Sequence, residues 1–286
     1  MPDFTVLGAG GFIGSALAQS LRAHGHSVYT PRRAEPAIFE ADLGHVIYCI
    51  GMTADFRSRP FETVDAHVGV LAEVLRRAHF ESLLYLSSTR VYGNASHGGE
   101  QSLLQVDPAD PSDLYNLTKL TGESLCRSGK PGVKVARLSN VVGSDPESAN
   151  FLPSLIREAL AGRIELQSDP ESAKDYILLD DVVALLPAIA VGGKHWLYNV
   201  ASGRSLRHAE LVARLAALTG CEVAVRAAAP RFDFPVIDTA RIRSEFGFSA
   251  GSVIDHLDRL VEQARQRHAS PPPDFLDHAH GPSRTI

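Results

Sequence analysis

Short apolar runs alternate with longer amphipathic segments over the first half of the chain. The runs at 4–7, 46–50 and 82–86 are short and nearly continuous, which is typical of strands buried on both faces. The segments at 12–24 and 64–78 have the periodicity of amphipathic helices. Because strands that alternate with helices form parallel sheets with right-handed crossovers, the pattern predicts an α/β fold with a doubly wound parallel sheet.

The second half of the chain has a looser pattern of the same kind. Apolar runs predict strands at 134–138, 164–167 and 196–200, and longer segments predict helices at 151–161, 206–219 and 253–266. We therefore expect a main domain and a smaller C-terminal α/β lobe. The expected boundaries are 1–145 for the main domain, with a return segment at about 175–205, then 146–174 and 206–268 for the lobe, and 269–286 for a flexible, proline-rich tail.

Composition and charge narrow the class of protein. Hydrophobic residues make up 44% of the chain and charged residues 21%, as in soluble globular proteins. The net charge of −5 without a basic cluster argues against a nucleic-acid partner, and the longest apolar stretch, at 182–191, is too short to span a membrane. Three widely spaced cysteines and a start without a signal pattern favour a cytoplasmic protein without a metal site.

Three glycines, Gly8, Gly11 and Gly14, lie between the first predicted strand and the first predicted helix. In this position the first permits a tight turn, the second lets the backbone approach a pyrophosphate, and the third allows close contact between helix and strand. The free N–H groups of the helix N-terminus attract the anion. This context predicts a Rossmann domain that binds a dinucleotide through Gly8, Gly11, Phe12, Ile13 and Gly14.

The residues after the second predicted strand indicate which dinucleotide is bound. A carboxylate there binds the ribose of NAD, whereas an arginine suits the 2′-phosphate of NADP. The chain has Arg32 and Arg33, and its first carboxylate is Glu35. We therefore predict NADP bound by the two arginines. The alternative is NAD, held by Glu35 or another group, with the arginines as surface charges.

Tyr115 and Lys119 form a Y-x-x-x-K pentad. Residues four apart share one face of a helix, so the phenol and the ammonium group would point the same way. A cation beside a phenol lowers the phenol pKa from about 10, which makes the group a usable proton donor or acceptor. The competing interpretation is an ordinary exposed helix face.

Several segments together resemble the short-chain dehydrogenase/reductase superfamily, and more closely its extended branch, the NAD-dependent epimerase/dehydratase family of nucleotide-sugar enzymes. The glycine segment and the Tyr115 pentad carry the resemblance, with Leu86-Ser-Ser-Thr-Arg-Val-Tyr-Gly93 similar to the branch's strand-end motif. Arg137-Leu-Ser-Asn-Val-Val-Gly143, Lys174-Asp-Tyr-Ile-Leu-Leu-Asp-Asp-Val182 and Tyr198-Asn-Val-Ala-Ser-Gly203 resemble later landmarks in the same order.

The resemblance implies a role for each site residue. Ser88 would bind the substrate oxygen, Tyr115 would exchange its proton, and Lys119 would hold the nicotinamide ribose and tune the phenol. Ser87 remains a competing choice for the strand-end hydroxyl, and Asn140, the implied diphosphate contact, could instead be a turn residue. The resemblance also implies a homodimer, adenine contacts from Asp42 and Leu43, and substrate contacts from Asn140, Thr89, Arg90 and Arg231.

Departures from the family pattern narrow the expected reaction. The stretch between Arg33 and Val46 is short, so the usual third strand and its helix are predicted to be missing. Thr89 and Arg90 stand where sugar dehydratases carry acidic residues, which argues against a dehydratase. We expect a reductase that uses NADPH to convert a 4-keto nucleotide sugar into its alcohol. The alternatives are a nucleotide-sugar 4-epimerase with tightly bound NAD and a regulatory protein that binds the cofactor without catalysis.

Overall fold

A computed structural model describes residues 2–33, 35–53, 55–143, 148 and 150–269. The predicted tail, 269–286, therefore lies outside the described residues except for its first residue. In chain order the elements are β1 Phe4–Leu7, α1 Phe12–Ala23, β2 Val28–Tyr29, β3 His45–Tyr48, α2 Pro60–Val64, α3 Val70–Arg77, β4 Ser82–Ser88, α4 Leu114–Ser128, β5 Val133–Leu138, β6 Asn140–Val142, α5 Phe151–Leu160, β7 Arg163–Leu166, β8 Ala173–Leu178, α6 Leu179–Gly192, β9 Leu197–Val200, β10 Ser205–Arg207, α7 His208–Thr219, β11 Glu222–Val225, α8 Ala240–Phe246 and α9 Leu257–Ala269.

Six parallel strands form the central sheet, in the order β2-β1-β3-β4-β5-β9. Successive strand residues serve opposite faces, so Val6 packs in one apolar cluster and Leu7 in another. Helices α1 and α6 contribute to the first cluster, and α3 and α4 to the second. Helices thus cover both faces, and the prediction of a doubly wound parallel sheet is confirmed.

The connection between β2 and β3 is short, as the spacing in the sequence predicts. The described residues of this connection form a 3₁₀ helix, Pro36–Phe39, and an isolated bridge from Asp42 to His79. Strand β2 has two residues and lies at the edge of the sheet. The outer edge of β2 is therefore unpaired among the described residues, at the place where a further strand would otherwise extend the sheet.

Two small sheets, β10-β8-β6 and β11-β7, lie beyond the central sheet. Helices α5, α7 and α9 join them in a third apolar cluster, to which Leu155, Leu211 and Leu257 belong. Strand β6 begins two residues after β5 ends. The small sheets therefore start at the carboxyl edge of the central sheet, next to the residues predicted to form the site.

Helix α6 contains the longest apolar stretch of the sequence and has Pro187 inside it. Its buried residues, among them Val182, Leu186 and Ile189, pack against the central sheet. Neither α6 nor any other helix in the described ranges is long and apolar enough to cross a membrane.

The helix predicted at 64–78 begins earlier than expected and is interrupted. Helices α2 and α3 are joined by one π-helical turn, Asp65–Gly69. Such turns add a residue to a helix and occur often at functional sites. His67 lies in this turn and is completely buried, so the interruption directs a polar ring into the protein.

Candidate active site

The carboxyl ends of the central strands bring most predicted site residues to one edge of the sheet. Gly8 follows β1, Ser88 is the last residue of β4, and Asn140 opens β6 just after β5. Ser88 lies opposite Leu138 in the register of β4 and β5, so the segments after these two strands are neighbours. This edge is where open parallel sheets bind their ligands.

The first and last glycines of the glycine segment have no room for a side chain. Gly8 has a φ of +87°, and a Cβ there would lie 2.9 Å from the backbone of Cys49 and Ile50. A Cβ on Gly14 would come within 2.3 Å of the carbonyl oxygen of Gly8. At Gly11 the nearest atom would be 3.4 Å away, so packing does not demand glycine there. Its open side instead fits the approach of a phosphate.

Helix α1 begins without a side chain that caps its N–H groups. Gly11 is the N-cap residue, and the first turn contains no acidic side chain. The ring of Phe12 is directed to Gly143, and Ile13 packs against the first apolar cluster. The helix therefore offers backbone N–H groups and the positive end of its dipole, which fit the pyrophosphate of a dinucleotide.

The two arginines after β2 and the nearby carboxylate have different surroundings. Arg32 and Arg33 are exposed, and in the described part of the chain neither guanidinium forms an ion pair. Glu35 accepts hydrogen bonds from Tyr29 Oη at 2.6 Å and from the backbone nitrogen of Arg32 at 2.7 Å. The bond to Glu35 is the main reason that the pKa of Tyr29 rises to about 12. The arginines are thus available to a ligand, whereas the carboxylate is already engaged.

Asp42 and Leu43, the predicted adenine contacts, lie away from the glycine segment. Both residues precede β3, whose first residue, His45, pairs with Phe4 at the start of β1. They therefore lie at the amino edge of the sheet, opposite the glycine segment. Leu43 is completely buried in the second apolar cluster and has no surface to offer a ligand.

Tyr115 lies in the first turn of α4 and is only 5% exposed. Its ring centroid is 5.5 Å from that of Phe56 and 5.3 Å from that of His67. The hydroxyl groups of Ser88 and Thr53 lie near its phenol oxygen and act to lower its pKa. The phenol is therefore enclosed by two rings and has two hydroxyl groups nearby.

Burial raises the pKa of the Tyr115 phenol above its usual value. The hydrogen bond from Ser88, the charge of Arg90 and the hydrogen bond from Thr53 act in the opposite direction but do not compensate. The expectation that Lys119 lowers this pKa is therefore wrong for the protein alone, because loss of water outweighs the neighbouring positive charge. In this environment the phenol is a proton donor.

Lys119 is buried and points toward the same edge of the sheet. Its Nζ donates to the carbonyl oxygen of Leu86 at 2.9 Å and lies 5.8 Å from the centre of the Tyr115 ring. Burial lowers the pKa of this amine to about 7, although the charges of Glu123 and Cys49 oppose the shift. The structure thus brings the two ends of the predicted pentad together on one helix face.

The ring of His67 packs edge-on against that of Tyr115. No sequence pattern distinguishes His67 from the other histidines among the twelve of the chain. Its Nε2 accepts from the backbone nitrogen of Met52 at 3.1 Å, so Nδ1 carries the proton and donates to Thr118 Oγ1 at 2.8 Å. Thr118 in turn donates to the carbonyl oxygen of Tyr115. Burial lowers the pKa of His67 to about 3, helped by the charge of Lys119, so the ring is neutral. Only the three-dimensional fold reveals this role.

The two strand-end serines face different partners. Ser87 is buried, and its Oγ donates to Glu123 Oε1 at 2.5 Å. Ser88 is partly exposed, accepts from the backbone nitrogen of Arg90 at 3.2 Å and lies near the Tyr115 phenol, whose pKa it acts to lower. Of the two candidates for the site hydroxyl, Ser88 is therefore the one that the structure brings to the phenol.

Behind the site lies a set of mutually bonded polar side chains, which we call the buried ion-pair network. Arg137 donates to both carboxylate oxygens of Glu123, at 2.9 and 2.6 Å, and to Tyr92 Oη at 2.7 Å. Tyr92 donates to Asn199 Oδ1 at 2.9 Å. With Ser87, these residues join β4, α4, β5 and β9.

The other predicted substrate contacts differ in their exposure and in their distance from the candidate active site. Asn140 is exposed, and its amide donates to the carbonyl oxygen of Asp175 at 2.8 Å. Thr89 is buried beside Ser88. Arg231 is exposed and is bound by Asp233 at 2.9 Å, so no described contact brings it to Tyr115.

Comparisons with known proteins agree with this fold. The family model described as "NAD dependent epimerase/dehydratase family" matches residues 37–201, which is more than half of the chain. The match begins after the glycine segment, whose cofactor role therefore depends on its geometry. A relative, GDP-6-deoxy-D-mannose reductase of Pseudomonas aeruginosa, is 27% identical over 253 residues and covers 77% of this chain and 81% of its own.

Two solved structures illustrate the similarity of the fold. MoeE5 in complex with UDP-glucose and NAD has a TM-score of 0.79 and 24% identity, over 93% of this chain and 99% of that chain. RMD from Pseudomonas aeruginosa complexed with NADPH has a TM-score of 0.75 and 23% identity, over 93% of this chain and 100% of that chain. These similarities extend over both the central sheet and the small sheets.

Proposed function

Because the chain belongs to the NAD dependent epimerase/dehydratase family, we propose that it reduces a keto-sugar linked to a nucleotide. The observation that carries this proposal is the meeting of Ser88, Tyr115 and Lys119 beside the glycine segment. The relative that reduces a GDP-linked sugar supports the same reaction class. A protein that only binds the cofactor has no use for a buried phenol and amine at this place.

Ser88, Tyr115 and Lys119 each have a different role in the proposed reduction. Ser88 and Tyr115 present two hydroxyl groups to one substrate oxygen, and the raised pKa of the phenol keeps its proton available. Tyr115 donates that proton to the carbonyl oxygen as reduction proceeds. Lys119 places positive charge beside the phenol as it ionises. The glycine segment would hold the pyrophosphate of a nicotinamide dinucleotide, which would supply the hydride when bound.

The residues after Ser88 favour reduction over elimination of water. Thr89 and Arg90 occupy the positions at which a dehydratase would carry acidic groups, and neither can act as a carboxylate base. A 4-epimerase would use the same three residues and would consume no cofactor. The edge position of β2 and the short connection after it leave the cofactor region open, which favours a cofactor that exchanges in every cycle.

The cofactor that we propose is NADP. Two exposed arginines without ion-pair partners in the described chain suit its 2′-phosphate. Glu35, the carboxylate that would hold the ribose of NAD, already binds Tyr29 and the backbone of Arg32. Replacing Arg32 and Arg33 together by Gln should weaken NADPH binding by about tenfold or more and leave NADH binding unchanged. Calorimetric titration with the two cofactors measures this difference.

Absorbance of the reduced cofactor tests the proposed reaction. Purified protein with a panel of 4-keto nucleotide sugars should oxidise NADPH in step with product formation, and the Tyr115→Phe variant should be slower by about 100-fold to 10,000-fold. Turnover of a nucleotide sugar with no net change in absorbance would establish the epimerase instead. Equal rates for the variant and the unchanged protein would remove Tyr115 from the mechanism.

We further propose the domain division at 1–145 with the return segment 175–205, and a lobe at 146–174 and 206–268. A cytoplasmic homodimer is part of the same proposal. Phe61, Val64 and Val70 on α2 and α3 are 82%, 38% and 39% exposed, and a partner subunit would remove these apolar side chains from water. Sedimentation of the unchanged protein and of Phe61→Glu measures this association.

A further inference from the structure

Two arginines contact one aromatic ring beside the candidate active site. The guanidinium carbon of Arg57 lies 4.5 Å from the centre of the Phe56 ring, and that of Arg90 lies 4.9 Å from it. Arg90 also lies 5.5 Å from the centre of the Tyr115 ring. Positive charge is therefore held directly next to the phenol, two residues after Ser88.

The charge of Arg90 has no counter-ion in the described part of the chain. Its Nη2 donates to the carbonyl oxygen of Ser112 at 3.2 Å, and Arg57 donates to Ser112 Oγ at 3.0 Å. Asp110 and Asp113 attract Arg90 only from beyond ion-pair distance, and their carboxylates already bind other groups of the chain. Burial and the charge of Arg57 both lower the pKa of Arg90, so the two cations repel each other.

A third cation faces the same region from the small sheets. Lys174 Nζ lies 5.7 to 5.9 Å from the centres of three phenylalanine rings, those of Phe234, Phe151 and Phe232. Among the described residues it makes no hydrogen bond or ion pair. Burial lowers its pKa, and the charge of Arg90 adds to this effect. Positive charge is thus concentrated on two sides of the site, and none of the described carboxylates forms an ion pair with it.

Buried charges in proteins are normally paired, because leaving one unpaired is costly. The contrast with Arg137, which is fully paired with Glu123, indicates that this fold supplies partners where a cation is only structural. An anionic ligand group would supply the counter-ion that the described part of the chain does not provide for Arg90. A guanidinium binds a carboxylate through two parallel hydrogen bonds.

The position of Arg90 limits which ligand group it reaches. On a 4-keto sugar, the diphosphate is attached to C1, across the ring from the carbon that Tyr115 serves. Arg90 contacts the ring of Tyr115 itself, so it faces the reacting carbon and the substituents of the neighbouring carbons. The substituent at C5 is the one that distinguishes a hexose, which has a neutral hydroxymethyl group, from a sugar acid, which has a carboxylate.

We infer that the substrate is a nucleotide-linked sugar acid, and that Arg90 binds the carboxylate beside its reacting carbon. This inference rests on the proposed function, because it assumes that a nucleotide sugar places its reacting carbon at Tyr115. Arg57 and Lys174 strengthen the positive potential around that carboxylate. A neutral hexose in the same place would leave the partly buried guanidinium of Arg90 without a counter-ion, so the site discriminates against it.

Matched sugars test the inference by calorimetric titration of the full chain with NADP. UDP-glucuronate and UDP-glucose differ only in this carboxylate, and GDP-mannuronate and GDP-mannose form a second pair. We expect the acid of at least one pair to bind about tenfold more tightly than its neutral counterpart. Arg90→Gln should abolish this preference without weakening the neutral sugar, and Arg90→Lys should retain part of it.

Arg127→Gln is the matched control, because Arg127 is an exposed arginine on α4 that lies over Trp196. It should keep the preference, and thermal unfolding verifies that each variant is folded. Equal affinity for both members of each pair, or a preference that survives in Arg90→Gln, overturns the inference. Binding of UDP or GDP with no difference between acid and neutral sugars leaves the proposed function standing and refutes the sugar acid. Failure of every nucleotide and nucleotide sugar to bind refutes both.

Discussion

Strand β4 and helix α4 each contribute to two neighbouring regions of opposite character. Ser87 and Glu123 belong to the buried ion-pair network, in which each polar atom has a short hydrogen bond. Ser88, one residue along the strand, and Lys119, one turn back along the helix, belong to the candidate active site. There the buried groups have fewer partners from the protein.

The pKa shifts of the two regions differ in the same way. Burial lowers the pKa of Arg137, but the hydrogen bonds and the charge of Glu123 raise it, and the resulting pKa of Arg137 lies above its usual value. Burial lowers the pKa of Lys119 to about 7, although the charges of Glu123 and Cys49 oppose the shift, and no carboxylate among the described residues bonds to its amine. In this fold, the buried cation with a structural role, Arg137, is paired with a carboxylate. At the candidate active site, where we expect a ligand, the described partner of Lys119 is a carbonyl oxygen.

Removing Glu123 should cause the largest loss of stability. The variant Glu123→Ala leaves the guanidinium of Arg137 buried without its partner, so we expect the free energy of unfolding to fall by about 3–5 kcal/mol. Chemical denaturation at pH 7 measures this change. The double variant Glu123→Leu with Arg137→Met removes both charges and should recover most of the loss. A double variant as unstable as the single one would show that the ion pair is not what stabilises this region.

The adjacent serines should separate activity from stability. Ser88→Ala should slow turnover by about 100-fold, because a hydroxyl that orients the substrate oxygen is lost, while the melting temperature stays nearly unchanged. Ser87→Ala should lower the free energy of unfolding by about 1–2 kcal/mol, because Glu123 loses a buried hydrogen bond, and should leave turnover within a few-fold. Steady-state rates and thermal melts of both variants give the answer. The reverse assignment of effects would exchange the roles of the two serines.

Acid should destabilise the protein through its buried neutral histidines. The pKa of His67 falls from 6.5 to about 3 on folding, and that of His208 falls to about 4, mainly through burial. The unfolded chain therefore binds protons that the folded protein does not, so stability is complete above pH 6.5 and declines as the pH falls toward 3. Each histidine contributes a slope of up to about 1.4 kcal/mol per pH unit.

The variant His67→Gln isolates one of these contributions. Its denaturation midpoints between pH 6.5 and 4 should change less steeply than those of the unchanged protein, while His208 still contributes its own slope. Parallel curves for the two proteins would mean that His67 is protonated in the folded state or is accessible to water.

Arg90 should contribute much less to the free energy of unfolding than Arg137. Arg90→Gln removes a half-buried cation that has one hydrogen bond to a carbonyl oxygen, so the free energy of unfolding should change by less than about 1 kcal/mol. Arg137→Gln, which breaks the bidentate pair with Glu123, should cost several times as much. Urea denaturation of the two variants side by side tests the ranking. A large loss at Arg90 would mean that this arginine is structural.

The central sheet and the family could be predicted from the sequence because their signals are local. Buried parallel strands appear as apolar runs, and the spacing of Gly8, Gly11 and Gly14 follows from the turn that they make. The pentad of Tyr115 and Lys119 required only the geometry of one helix. Each of these features is determined by a few consecutive residues.

Other features depend on contacts between distant segments, which the sequence does not display. Asp42 and Leu43 lie at the amino edge of the sheet because β3 begins after them, and the sequence around them does not display this edge. The raised pKa of Tyr115 results from burial beside Phe56 and His67, which lie about 50 residues earlier in the chain. His67 itself faces Tyr115 from an irregular turn that hydrophobic periodicity cannot predict.

That irregular turn, Asp65–Gly69, sets the rotational phase between α2 and α3. An α-helix advances by about 100° per residue, so loss of a single amino acid here would let regular hydrogen bonding continue and would rotate one helix against the other by that angle. Phe61 could then no longer be exposed on the surface while His67 is buried against Tyr115. Surface loops commonly tolerate insertions and deletions, but a change of length at this turn should disrupt the packing. The position of this turn therefore links the packing around Tyr115 to the exposed apolar side chains of α2 and α3.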